Sequence, residues 1–314
     1  MILTDYLRHE EGIEWDYALQ CGVTNAVIRL PETPEFDVTD GACWRKLCEK
    51  FEKRGLRPLV VEPLPNSLHD HIKAGDGLRD ICIEKAVRMF PHMAANGIRT
   101  LCFNFMAYEG WTRTSTDLPE RGGALVTGFD LAGYCPRTDA EITEEELWEN
   151  YTRFIRAAAP EAERWGIRLA LHPDDPPLPC LSRLRRIMIS YKNICRAMEI
   201  AGSSNVGVTM CQATYAMMGE ELFEVIPKLA ERIYFIHFRN VTGCNTCFRE
   251  TFHDNGSLDM ARLLRLYQKC GIDVPIRVDH VPLMAGETND APGYTALGRL
   301  FAIGYLKGLL DGTA

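Results

Sequence analysis

Short apolar or β-branched runs alternate along this chain with longer stretches in which apolar residues recur at helical spacing. Eight runs read as strands, at 2–6, 25–29, 58–62, 100–105, 168–172, 206–210, 233–237 and 276–279. The stretches between them predict helices over 42–54, 78–96, 143–165, 183–200, 220–231 and 259–270. Strand followed by amphipathic helix, repeated, is the order of βα units around a parallel sheet. Three helices run into a glycine and then directly into a strand, in KRGLRPLVV, ANGIRTLCF and RWGIRLALH. Glycine suits the left-handed backbone that closes a helix, so this punctuation predicts one continuous α/β wheel.

No Pro-, Gly- or Ser-rich linker divides the sequence, and no repeat or low-complexity tract stands out. The expected organisation is a single (β/α)8 TIM barrel domain over 1–314. An open doubly wound sheet would use the same elements; the count of eight strands favours the barrel. The segment 106–142 lacks clear periodicity. Coming after the fourth strand, it reads as a long loop excursion on the face where a barrel carries its chemistry.

Charge narrows the function. With 35 Lys and Arg against 43 Asp and Glu, the net charge is -8, which argues against a nucleic-acid partner, because a phosphate polyanion is held by clustered basic residues. An anionic small molecule would need a local positive centre, such as a metal ion. No run of about 20 apolar residues offers a membrane span. The opening MILTDYLRHEEGIEWDY lacks the order of a secretory signal, so the expected location is cytoplasmic. Twelve scattered cysteines fit reduced core thiols better than a disulfide framework. Cys244 and Cys247 form a CxxC, but with no second pair a mobile loop is preferred to a redox or zinc role.

In a barrel, reactive groups collect at the carboxyl ends of strands. The last four strands end in metal-binding residue types: His172 in RLALHPDDPP, Cys211 in VGVTMC, His237 in YFIHFRN, and Asp279 with His280 in IRVDHVP. Singly, each has a bland reading as a hydrogen-bonded core histidine, a small apolar filler or a helix cap. Four at consecutive strand ends are harder to set aside. A mixed N, S, O set suits a divalent transition ion over magnesium or calcium, with zinc, iron(II) and manganese(II) all open on ligand chemistry.

The strings EPLPNSLHDHIKAGDGLRD, CFNFMAYEGWTRT, LALHPDDPP, GVTMC, IHFRNV, TFHDNGSLDM, VDHVPLMAGE and PGYTALGRLFAIGYLKGL stand in this order. Together they resemble the mannonate dehydratase family, from about 60 to 310. The resemblance implies a xylose-isomerase-like barrel with one Mn2+ or Fe2+ ion, converting D-mannonate or a related aldonic acid to 2-keto-3-deoxy-D-gluconate and water in hexuronate catabolism. It implies His172, Cys211, His237 and Asp279 as metal ligands, and His280 and Tyr294 as the acid-base pair. A homodimer is the expected assembly.

Such a dehydration removes the proton beside a carboxylate and expels the neighbouring hydroxyl, tasks within reach of a histidine and a tyrosine. Arg239 and Asn240, directly after His237, are placed to meet a substrate carboxylate or hydroxyls. His69, His71, Lys73, Asn104, Arg113 and His253 are further substrate-binding candidates, each against a solvated-loop or surface-turn alternative. Asp174 and Asp175 either support the metal or fix a turn.

Three segments depart from the family pattern. The start reads TDYLRHEEG where the family has an arginine- and tryptophan-containing strand and a YG turn. QATYAMMGEE after Cys211 lacks the family's arginine, and TFHDNGSLDM is short by a histidine. The proposed ligands are spared. The alternatives are a metal-dependent sugar isomerase or epimerase on the same barrel, and a catalytically silent sugar-acid-binding barrel.

Overall fold

A computed structural model describes residues 1–312, and among them eight parallel strands close into a barrel. They are β1 (Ile2–Leu7), β2 (Asn25–Ile28), β3 (Arg57–Val61), β4 (Thr100–Phe103), β5 (Arg168–Leu171), β6 (Val206–Cys211), β7 (Ile233–Phe238) and β8 (Pro275–Val278). Every expected strand is present, with ends displaced by no more than two residues. Closure is made by β1, whose Leu3 lies opposite Ile276 of β8 and whose Tyr6 lies opposite Val27 of β2. Strands β4, β6, β7 and β8 are buried throughout, because side chains fill the barrel on one face and helices cover the other. Val27, Val60, Cys102, Ala170 and Phe235 pack together as one cluster distinct from the larger one that includes the helices.

The helix Glu144–Trp165 shows how local sequence sets an element. Thr143 accepts from the Glu146 N–H, and the Glu146 carboxylate takes the Thr143 N–H in return, closing a capping box. Leu147, Tyr151, Phe154, Ile155 and Ala158 form its buried stripe, and Gly166 ends it at φ 64°. Gly55 and Gly97 likewise adopt positive φ, 79° and 73°, as the glycine-to-strand punctuation predicts.

Other expectations are corrected. The helix expected over 78–96 divides into Arg79–Arg88 and Phe90–Ala95, with Pro91 in the first turn of the second, where its missing N–H is tolerated. The helix expected from 183 starts only at Tyr191, capped by Ser190; upstream, Leu184–Arg185 pairs with Cys180–Leu181. Helices Ile13–Gln20, Asn66–Ala74, Gln212–Met217 and Ala296–Gly312 were not foreseen. No helix among the described residues is long and apolar enough to cross a membrane.

The segment 106–142 is more ordered than its sequence suggests. Its strands Ser115–Pro119 and Leu125–Asp130 join a hairpin, Val241–Cys244 with Cys247–Glu250, in one antiparallel sheet beside the barrel mouth. Phe129 stacks on Phe248 at 5.8 Å between ring centres. Cys244 and Cys247 flank this hairpin's two-residue turn, exposed and directly opposite one another, so the CxxC sits on a hairpin tip and not on a loose loop. Among the described residues neither joins a group of three or more metal-type ligands.

Candidate metal centre

The carboxyl ends of the strands open into a cavity of about 910 Å³. Glu62, His172 and Asp279 line it directly after a barrel strand, and His237 lines it from the next-to-last position of β7. His172 Nδ1 lies 2.6 Å from the Pro173 carbonyl oxygen. A carbonyl only accepts, so the proton sits on Nδ1 and Nε2 is left bare. That bare nitrogen faces His237 Nδ1 at 3.2 Å. The other nitrogen of His237, Nε2, approaches Glu62 Oε1 at 3.0 Å without good hydrogen-bond alignment. Burial would raise the Glu62 carboxyl, but Arg277 and His237 prevail and hold it below the ordinary carboxylate range. The aligned contact is His237 Nδ1–H donating to the bare His172 Nε2; an ionised Glu62 beside Nε2 can hold the proton there when a cation takes Nδ1.

A ring nitrogen of His172, one of His237 and the Cys211 Sγ converge, all three within 4.8 Å of one another. Asp279 Oδ2 stands 3.6 Å from His237 Nδ1. Burial pushes the Asp279 carboxyl up, yet His280, Arg277, His237 and Arg239 together hold it well below the usual range. This N, N, S, O set fits a divalent transition ion, which would take the place of the proton shared by the two rings.

Beside these ligand-type residues lies a buried network drawn from the connections after β4, β5, β7 and β8. Arg113 donates to both oxygens of Asp175, at 2.7 and 3.1 Å, and to Glu250 at 2.6 Å. Arg239 donates to Asp175 at 2.8 Å and meets Glu250 as an ion pair at 3.2 Å. His280 Nδ1 faces Glu250 at 3.0 Å, and its Nε2 lies 3.1 Å from the Tyr294 hydroxyl. Burial first, then Asp279, pushes the Tyr294 phenol well up, so it stays protonated.

The structure sorts the remaining candidates. Lys73, Asn104 and Arg239 line the cavity with His280 and Tyr294. Arg113 stands behind them in the network. Four others stay off the cavity wall. His69 is buried among Phe103, Phe105 and Phe154 with neither ring nitrogen hydrogen-bonded. His71 points outward to Asp76. Asn240 spends its side chain on His253 O, Leu258 O and the N–H groups of Val241 and Leu258. His253 donates to Phe238 O. The aspartate pair also divides: Asp174 accepts from the N–H groups of Ile187 and Met188 and fixes the turn, whereas Asp175 joins the arginines.

Glu62, Glu250, Arg277 and Trp111 were missed. Glu62 carried a readable signal, since it ends an apolar strand just as His172 does. Glu250 and Trp111 had none, because a hairpin and an excursion deliver them. The departures from the family pattern also separate. Tyr6, Arg8, Glu10 and Glu11 of the opening segment line the cavity, while the segment after Cys211 folds as a buried helix off its wall.

This closed barrel with its strand-end site is a xylose-isomerase-like TIM barrel. A xylose isomerase domain protein from Planctomyces limnophilus superposes over 99% of this chain and 96% of its own with a TM-score of 0.63 at 11% identity, a likeness in fold alone. The particular family follows from closer matches: the chain belongs to the mannonate dehydratases. The family model for D-mannonate dehydratase (UxuA) matches residues 4–138 and 135–314. A mannonate dehydratase of Streptococcus agalactiae serotype Ia is 35% identical over 317 residues, covering 89% of this chain and 90% of that protein. The crystal structure of mannonate dehydratase from Streptococcus suis serotype 2 superposes over 100% of this chain and 95% of its own, with a TM-score of 0.90 and 29% identity. The family is one of hydro-lyases, so the chain is an enzyme of that class.

Proposed function

We propose that this enzyme dehydrates D-mannonate, or a closely related aldonate, to 2-keto-3-deoxy-D-gluconate and water, with Mn2+ or Fe2+ held by His172, Cys211, His237 and Asp279. The observation that carries this reading is the pair of imidazole nitrogens meeting the Cys211 thiol beside the coupled His280 and Tyr294. The bound ion would offset the negative charge that develops on the substrate carboxylate as the neighbouring carbon loses its proton.

The chain's own groups supply the rest. His280 and Tyr294 line the cavity within hydrogen-bond reach of one another, and between them they cover both proton transfers. An imidazole takes a proton near neutral pH, and a phenol that stays protonated gives one to the departing hydroxide. Loss of that proton and of the adjacent hydroxyl yields an enol, which tautomerises to the 2-keto acid. Arg239 and Lys73 bring positive charge to the cavity wall, and Asn104 brings an amide, suited to holding a carboxylate and hydroxyls.

The test is anaerobic turnover of D-mannonate after reconstitution with manganese(II) or iron(II), following the 2-keto-3-deoxy acid. Metal-dependent product that Cys211→Ser and Tyr294→Phe both abolish is the expected result. Metal binding without turnover of any aldonate would overturn the substrate, and failure to bind metal would overturn the site.

A further inference from the structure

We propose that Glu250 is the positioning residue for His280: its carboxylate keeps the ring proton on Nδ1 and leaves Nε2 bare towards Tyr294. The inference rests on the reading of His280 as a proton-exchanging group, but it concerns a tautomer that can be observed without turnover.

Glu250 ends the hairpin strand Cys247–Glu250 and is delivered to the site by the antiparallel sheet, not by a barrel strand. Its side chain is buried, with Oε1 3.0 Å from His280 Nδ1. Burial pushes its carboxyl up, but Arg239, His280 and Arg113 together bring it below the ordinary range, so it is ionised. A carboxylate only accepts, and a bare Nδ1 facing it would set lone pair against lone pair.

The other neighbours of Nδ1 favour the opposite tautomer. Arg239 Nη1 at 3.0 Å and Arg113 Nη2 at 3.4 Å only donate. Both nitrogens already have carboxylate partners: Arg239 Nη1 meets Asp175 at 2.8 Å, and Arg113 Nη2 meets Glu250 at 2.6 Å and Asp175 at 3.1 Å. Their demand is met elsewhere, whereas a proton on Nδ1 has Glu250 Oε1 as its hydrogen-bond acceptor; that oxygen also takes Arg113, and its two lone pairs serve both donors. On the far side, the Tyr294 hydroxyl lies 3.1 Å from Nε2 and 3.4 Å from Asp279 Oδ1, which itself stands 3.7 Å from Nε2; a bare Nε2 takes the single phenol proton over the shorter of the two distances. His280 also holds a backbone φ of 38°, in the left-handed region that costs a non-glycine residue energy, so its backbone is held there by its surroundings.

The discriminating measurement is a two-bond proton–nitrogen correlation on the full chain with 15N-labelled histidine. Zinc is added as a diamagnetic occupant of the neighbouring centre, and His280→Asn identifies the resonances. The wild type should show His280 protonated at Nδ1 and bare at Nε2. In Glu250→Gln the arginines become the dominant partners of Nδ1, and the proton should move to Nε2. In turnover, that variant should lose roughly 10²- to 10⁴-fold in kcat, with KM within about threefold. Glu250→Asp should recover part of the rate and the Nδ1–H form.

A wild-type His280 protonated at Nε2 would overturn the proposal, and so would a Glu250→Gln variant that keeps both tautomer and kcat. If Glu250→Gln does not fold, the wild-type tautomer and the aspartate variant decide. A wild type inert towards aldonates but showing the stated tautomer and its shift would sink the functional reading and leave the role of Glu250 standing.

Discussion

Arg113 and Asp175 meet through two hydrogen bonds, 2.7 and 3.1 Å long, although they lie 62 positions apart in the chain. The pair ties the stretch just before the strand Ser115–Pro119 to the loop after β5, and both side chains are enclosed. Burial raises the Asp175 carboxyl, but Arg113 and Arg239 overcome this and hold it lowered.

Removing one partner from such a network leaves the other charge buried and uncompensated. Asp175→Asn should therefore destabilise the fold by about 3–5 kcal/mol, read as a lower urea midpoint with an unchanged slope. A loss below about 1 kcal/mol, the scale of an exposed pair, would mean that water reaches these arginines.

The converging donors predict metal affinity directly. Cys211→Ser and His237→Asn should each weaken manganese(II) binding by more than about tenfold. Titration followed by electron paramagnetic resonance reads this without any substrate. Unchanged affinity in both variants would place the ion elsewhere.

His253 gives the fold a pH dependence whose sign is fixed. Burial pushes its ring from the ordinary 6.5 down to about 4, despite its hydrogen bond to Phe238 O. Between those two values the unfolded chain binds a proton that the folded chain refuses, so stability falls as pH drops from about 6.5 towards 4. The gap corresponds to roughly 3 kcal/mol. Urea unfolding of wild type and His253→Gln across this window should show the variant's stability curve flatter by about that amount; parallel curves would refute the assignment.

Gly256 faces the locked side chain of Asn240. A Cβ built there would fall 2.1 Å from Asn240 Oδ1 and 2.7 Å from Thr251 Oγ1. Asn240 cannot swing aside, because its amide holds four backbone groups in place. Gly256→Ala should cost about 1–3 kcal/mol and lower the midpoint of thermal unfolding. An unaltered midpoint would show that the loop can open at little cost.

How far the site could be read in advance varied with how each residue is delivered. The convergence of His172, Cys211, His237 and Asp279 was legible because a barrel places the end of every strand at one rim, so a polar residue closing an apolar run has a known address. Glu62 obeys the same rule and was within reach. Lys73 and His69, four positions apart on the helix Asn66–Ala74, show the limit: one lines the cavity and the other is buried among phenylalanines. Spacing along the chain did not separate them.

The sequence by itself determined the alternation of strands and helices, the glycine-closed helix ends and the strand-end chemistry, because these depend on backbone preference and on periodicity over a few residues. Only the tertiary structure decided that Arg113, Asp175, Arg239, Glu250 and His280 form one network. It also decided that Asn240 and His253 serve a loop, and that the opening segment reaches the cavity while the residues after Cys211 do not. Those outcomes turn on contacts between segments tens to hundreds of positions apart. No local pattern encodes such contacts, because what selects them is the packing of whole loops against one another.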